Sequence, residues 1–377
     1  MLLLCVAHRR ANIHRFKEQL RGAPEAPTYV GPGGQAPVTL SRTSTSMGSR
    51  PEFTALTFLP GRGMQISQIR AILPGAGDVA LLGDTPYDGT SSVADETLND
   101  KESNFAGEFI VPWIGTLSGH AVRDADGSAW IEANVNGATV RVPASTANPN
   151  ESDEGLLQRT ASTHTETALL DDGQTAASTF VIGKDADKEH SQSRAWPSQL
   201  QLDGSMRLEG QSIEITWRVH NNGNTPVPFN FAWRPRFAIP GAQRGKVTLA
   251  IPSTTQLAES KRPVDATHAA LDFSKEGGSA ITQSNIDAQF VQLRGQLMGD
   301  GTAVELRLAE NNSGIRLVML DNAFQAVHIA TGPHMEWVEI APEMTAKGLP
   351  SKVLDAGQTY TLRVRLEIFS TAPHSSL

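Results

Sequence analysis

Residues 213–220 read IEITWRVH. Ile213, Ile215, Trp217 and Val219 are apolar, while Glu214, Thr216, Arg218 and His220 between them are polar. A period of two marks a strand with one buried and one wetted face, the arrangement of an antiparallel sheet. YTLRVRLEI at 360–368 repeats it, with Tyr360, Leu362, Val364, Leu366 and Ile368 inward and Thr361, Arg363, Arg365 and Glu367 outward. AVELRLAE and IRLVML are shorter versions. Turn-forming clusters such as NNGNTP, DADG, MGDG, ENNSG and DAG separate the strands. Beyond a short basic helix near the start, no long stretch carries a 3.6-residue period. The chain therefore reads as all-β, a large antiparallel sandwich or barrel.

The totals agree with a soluble, well-packed protein. Of 377 residues, 39% are hydrophobic and 19% charged, which excludes a disordered chain. The formal net charge of −8, without a local Lys/Arg block, argues against a nucleic-acid partner. No run approaches the ~18 apolar residues of a membrane span, so no membrane partner is expected. The only cysteine, Cys5, excludes an intramolecular disulfide and a Cys-rich zinc site. Low cysteine use suits the cytoplasm, with the periplasm as the alternative. The opening MLLLCVAHRR fits a signal peptide poorly. Residues 1–37 read as a flexible extension, 38–370 as one β domain and 371–377 as a tail. The polar stretches 145–155 and 182–194 read as long loops rather than linkers.

Several familiar motifs are missing. GPGGQ and LPGRGM lack the lysine of a phosphate-binding loop, and there is no G-x-S-x-G nucleophile elbow. His164 with Glu166, and His334 with Glu336, share a strand face at i and i+2. Such pairs are far more often solvated than metal-bound, and no metal or cofactor is expected. What stands out is FAWRPRFAIPG at 231–241, where Arg234 and Arg236 flank a proline in an aromatic run. Burying guanidinium groups is costly unless they are paired, so these two mark either a cleft or a structural ion pair. Trp113 and Trp233 lie in proline-bounded segments, where an aromatic ring serves either as a platform for a sugar or as a plug of the sandwich.

Six segments in order resemble the aldose 1-epimerase (galactose mutarotase) family. They are FTALTFLPGRGMQISQI, FAGEFIVPWIGTLSG, DEGLL, WRVHNNGNTPVPFNFAWRPRFAIPG, LDFS with NIDAQF, and VEIAPEMTA with the closing VLDAGQTYTLRVRLEI. The resemblance covers about residues 38 to 370. It implies a galactose mutarotase-like supersandwich that binds a small-molecule sugar or glycan on a concave face. It also implies ring opening by a base at the anomeric hydroxyl and an acid at the ring oxygen, which needs no cofactor. In the family a glutamate is the base and a histidine the acid.

This chain departs from the family where the chemistry sits. Arg234 occupies the histidine position of the family's H-P-Y-F, and Arg236 its aromatic position. Glu154 replaces the histidine of His-Gly-Leu-Leu. The family's E-P-M-T appears as Pro342, Glu343, Met344, Thr345. Asp287 matches the sugar-binding carboxylate. The expected catalytic pair is accordingly Glu343 and Glu154. The expected sugar-binding residues are Arg234, Arg236, Asp287, Trp113 and Trp233. Glu339 is a third candidate for the base, although its alternation with Val338 and Ile340 suits a solvated face. Two guanidinium groups would also accept a phosphorylated or carboxylated sugar. Two functions follow: an aldose 1-epimerase, or a non-catalytic sugar-binding protein of the same fold.

Overall fold

A computed structural model describes residues 31–46, 48–83, 106–183, 196–238, 245–257, 263–265, 271–282, 285–295, 301–332, 334, 336–346 and 349–371. The expectations for the first thirty residues and for 372–377 lie outside this set. The body begins at Gly31. Residues 31–37, assigned to the extension, lie on the body: Gln35 Nε2 donates to the Ser162 carbonyl at 2.7 Å, and Ser162 Oγ donates back to Gln35 Oε1 at 2.7 Å.

The fold is all-β. Among the described residues, helix is confined to short 3-10 turns such as Leu157–Arg159. The two stretches that set the fold class are neighbours in one nine-stranded antiparallel sheet, as Ser212–Asn221 and Thr359–Ser370. Their apolar sets face each other in register: Ile213 with Leu366, Ile215 with Val364, Trp217 with Leu362, Val219 with Tyr360. Their polar sets do the same, with Glu214 opposite Arg365. A one-residue slip would send every one of these side chains to the wrong face, so the apolar pattern fixes the register.

A second antiparallel sheet packs over that apolar face. Its central strands run in the order Asp287–Val291, Ala326–Thr331, Trp337–Glu343, Ala232–Arg234, Glu108–Ile110, with Arg236–Ala238 also paired to Trp337–Glu343. The layers meet at Trp217, whose ring lies 5.0 Å from Phe109 edge-on, 5.8 Å from Phe180 and 6.3 Å from Phe231. Strand alternation divides this second sheet into two chemistries. Phe109, Trp233, Phe237, Ala288, Phe290, Val327, Ile329, Val338 and Ile340 point into the core and are buried. The residues between them point to the opposite face, and that face carries the candidate site.

Candidate active site

Trp337–Glu343 supplies the centre of this face with Glu339, Ala341 and Glu343. The ladder sets Arg236 opposite Glu339 and Ala232 opposite Glu343 on one side. On the other side His328 stands opposite Ala341, and Gln289 opposite His328. Arg234 and Arg236 straddle Pro235 because residues two apart on an extended chain share a face. Trp233 and Phe237 take the core side of the same stretch.

Glu154 reaches this face through a turn that docks on the end of the Glu108–Ile110 strand. Leu156 and Leu157 donate their N–H groups to the Val111 carbonyl at 2.6 and 3.2 Å. Gly155 holds φ +68°, and a Cβ there would sit 3.1 Å from the Val111 backbone, so the turn needs glycine. The turn delivers the Glu154 carboxylate to Arg234. Glu154 Oε1 accepts from Arg234 Nη1, and Oε2 accepts the Gly115 N–H at 2.9 Å. Arg236 Nε donates to Glu339 Oε2 at 3.1 Å, and its guanidinium lies 4.6 Å from the centre of the Trp337 ring. Farther along the face, Arg62 Nη2 donates to Glu108 Oε1 at 3.3 Å.

His328 bridges two carboxylates. Its Nδ1 lies 3.1 Å from Glu339 Oε1 and its Nε2 2.7 Å from Asp287 Oδ1. The Asp287 side chain is 84% exposed and that of Glu339 3%, so the imidazole runs from the floor of the site toward its mouth. Burial alone would pull the His328 pKa down. The hydrogen bonds to Asp287 and Glu339 outweigh it and hold the ring protonated up to about 9. Burial pushes Glu339 up, but the bond from His328 and the charges of Arg234, His328 and Arg236 outweigh it, leaving about 2.

Glu343 is the opposite case. Its side chain is fully buried; among the described residues Gln289 Nε2 donates to Oε2 at 2.6 Å, and Oε1 has no hydrogen-bond partner. Burial lifts its pKa to about 7, opposed by His328 and Arg234 and assisted by Glu154 and Glu339. Burial likewise lifts Glu108 to about 7 against the pull of Arg62.

Of the residues expected from sequence, Glu343, Glu154, Arg234, Arg236 and Asp287 gather on or against this one face. Trp113 and Trp233 do not. Trp113 is buried and stacks on Trp196 at 5.4 Å, while Trp233 stacks on Phe109 at 6.0 Å. Trp233 and Arg234 are adjacent on a strand and so must face opposite ways. Both tryptophans are plugs of the core. Glu339 also departs from its expected solvated position: it is buried among His328 and Arg236. It lies four residues from Glu343 on one strand, so the two share a face. His328 had no sequence signal beyond its alternation with Val327 and Ile329. The exposed pair His164 and Glu166 lies 3.7 Å apart on the His164–Leu170 strand; among the described residues no group of metal-ligating side chains gathers.

Solved structures share this architecture. A protein from Synechocystis sp. PCC 6803 superposes with a TM-score of 0.60 at 14% identity, covering 92% of this chain and 99% of that one. A galactose mutarotase-like protein from Clostridium acetobutylicum gives 0.61 at 15%, covering 86% and 94%. A galactose 1-epimerase from Lactobacillus acidophilus NCFM gives 0.56 at 13%, covering 89% and 99%. The fold is thus that of the galactose mutarotases. The family model for aldose 1-epimerase matches residues 133–367, and the chain belongs to that family. No curated protein matches it significantly. Among the described residues, no helix is long and apolar enough to cross a membrane.

Proposed function

We propose that the protein is an aldose 1-epimerase, interconverting the α and β anomers of an aldose by acid–base ring opening on the face that carries Glu343. The observation that carries this reading is Glu343 itself. A buried carboxyl with one oxygen unpartnered among the described residues and a pKa near 7 is suited to take and return a proton at neutral pH. A buried carboxylate oxygen without a donor costs stability, and such costs are typical of groups kept for chemistry.

The neighbours fit the same reaction. Arg234 stays cationic and cannot donate its proton, but beside a developing alkoxide it stabilises negative charge. Glu154 anchors it, both carboxylate oxygens being occupied. Asp287 at the mouth and Arg236 on the floor offer an acceptor and donors to sugar hydroxyls. Each guanidinium already faces a glutamate, which favours hydroxyl binding over capture of a phosphate or uronate. Arginine at position 234 favours the alternative, a sugar-binding protein without turnover.

One assay separates the two. Freshly dissolved α-D-glucose, α-D-galactose or α-D-xylose is mixed with the protein, and optical rotation is followed to equilibrium. The epimerase reading requires relaxation faster than in buffer. Saturable sugar binding with no acceleration for any of the three would establish the binding protein instead.

A further inference from the structure

Ring opening needs a proton donor as well as Glu343. Glu154 makes a poor one, because Arg234 and the Gly115 N–H occupy its oxygens as acceptors. His328 has the geometry. A neutral imidazole carries one N–H and could satisfy one of its two carboxylate neighbours; bridging both Glu339 and Asp287 calls for the doubly protonated ring. The Nδ1–H is tied to the buried Glu339, while the Nε2–H points to the exposed Asp287.

His328 is also placed to act together with Glu343. It stands opposite Ala341, two residues from Glu343 on the neighbouring strand. Diagonal neighbours of this kind lie about 7–8 Å apart at the backbone, a span that two inward side chains and one sugar carbon fill. On its own strand the same-face neighbours of His328 are Ala326 and Ala330, and across the ladder it meets Ala341. Small methyl groups thus flank the ring on this face. The charged groups around the ring are Asp287, Glu339 and Glu343, with Arg234 and Arg236 acting on Glu339 from the far side.

We propose that His328 is the general acid of the site, protonating the ring oxygen through Nε2 while Glu343 takes the proton of the anomeric hydroxyl. This rests on the epimerase reading above. The bond between the anomeric carbon and the ring oxygen breaks, the anomeric C=O forms, and the open-chain aldehyde is left between a neutral His328 and a protonated Glu343. After the aldehyde turns its other face, His328 takes back the hydroxyl proton as that oxygen attacks, and Glu343 returns its proton to the new anomeric oxygen. No proton is gained or lost over the cycle. Glu339 is a positioning residue that holds Nδ1. Asp287 covers Nε2 in the absence of sugar and moves aside onto a substrate hydroxyl.

The test compares the whole protein with His328→Gln on the three α-aldoses above, from pH 5 to 10. The wild type is expected to give a bell, with an acidic limb near 7 from Glu343 and an alkaline limb near 9 from His328. His328→Gln should lose about 10²- to 10⁴-fold in kcat with KM within about threefold, and should lose the alkaline limb. A variant with wild-type kcat, or with the alkaline limb unmoved, overturns His328 as the acid while leaving the epimerase reading intact. A wild-type protein without acceleration overturns both. Should the variant fail to fold, ¹⁵N-imidazole NMR of the wild type decides: a ring protonated at pH 8 supports the proposal. Ten neutral histidines at that pH overturn it.

Discussion

Glu52 and Glu343 are both buried glutamates, and their surroundings treat them in opposite ways. Glu52, at the start of the Glu52–Leu59 strand, is covered by its own ligands at shallow depth. It accepts the Ser44 hydroxyl at 2.8 Å, the Thr45 N–H at 3.0 Å, the Thr45 hydroxyl at 3.1 Å and the Ser46 N–H at 3.3 Å, with Arg42 and Arg50 alongside. Burial pushes its pKa up, but these donors outweigh it and hold the carboxylate at about 2. Among the described residues Glu343 has one donor and an oxygen without a partner, and burial wins, at about 7. Burial alone does not distinguish a structural carboxylate from a reactive one. The number of donors aimed at it does.

The largest expected effect comes from exchanging the fates of the two residues. Glu343→Gln should lower the mutarotation rate by about 10²- to 10⁴-fold while leaving thermal stability unchanged or slightly raised. Glu52→Ala should leave kcat untouched and cost about 1–3 kcal/mol by stranding the donors of residues 44–46, read as a shift in the urea midpoint. If both variants lost stability and neither lost rate, the contrast would collapse.

A smaller effect lies in the pH dependence of stability, where the two groups have opposite signs. The folded pKa of Glu52 is depressed, so its contribution is present above about pH 4.5 and is lost as pH falls through about 2. The folded pKa of Glu343 is raised, so the native state holds its proton longer and stability falls as pH rises from about 4.5 to about 7. Glu108 adds to that decline in the same sense. Urea midpoints against pH should therefore show Glu52→Ala flattening the acid side and Glu343→Gln flattening the decline toward neutrality, each by at most about 1.4 kcal/mol per pH unit. Identical slopes in the variants and the parent would refute the assignment. The smallest effect is expected from Gln289→Leu, which removes the donor to Glu343. The acidic limb of the rate profile should move up by about one pH unit, with the rate at pH 9 close to the parent.

The fold was legible in the sequence because strand alternation is a local property. IEITWRVH and YTLRVRLEI declare their inward faces residue by residue, and the sheets take up those faces unchanged. The site was legible in part. Arg234, Arg236, Glu154, Asp287 and Glu343 could be named from segments resembling the family. Their partners could not, because each pairing joins segments far apart in the chain: Arg234 with Glu154, Arg236 with Glu339, His328 with Asp287. FAWRPRF looked irregular, since proline hid a simple alternation in which Trp233 and Phe237 go to the core and the arginines to the site. Applied there, the same parity rule would have excluded Trp233 from the cleft and put Glu339 beside Glu343.

The sequence by itself determined the all-β class, the inward faces of the central strands and the family, because periodicity and motif order are written along one dimension. Only the tertiary structure decided which carboxyl keeps a raised pKa and which histidine bridges two carboxylates. Protonation depends on how many donors and charges converge on a group, and that convergence is assembled from strands that meet only when the sheets close.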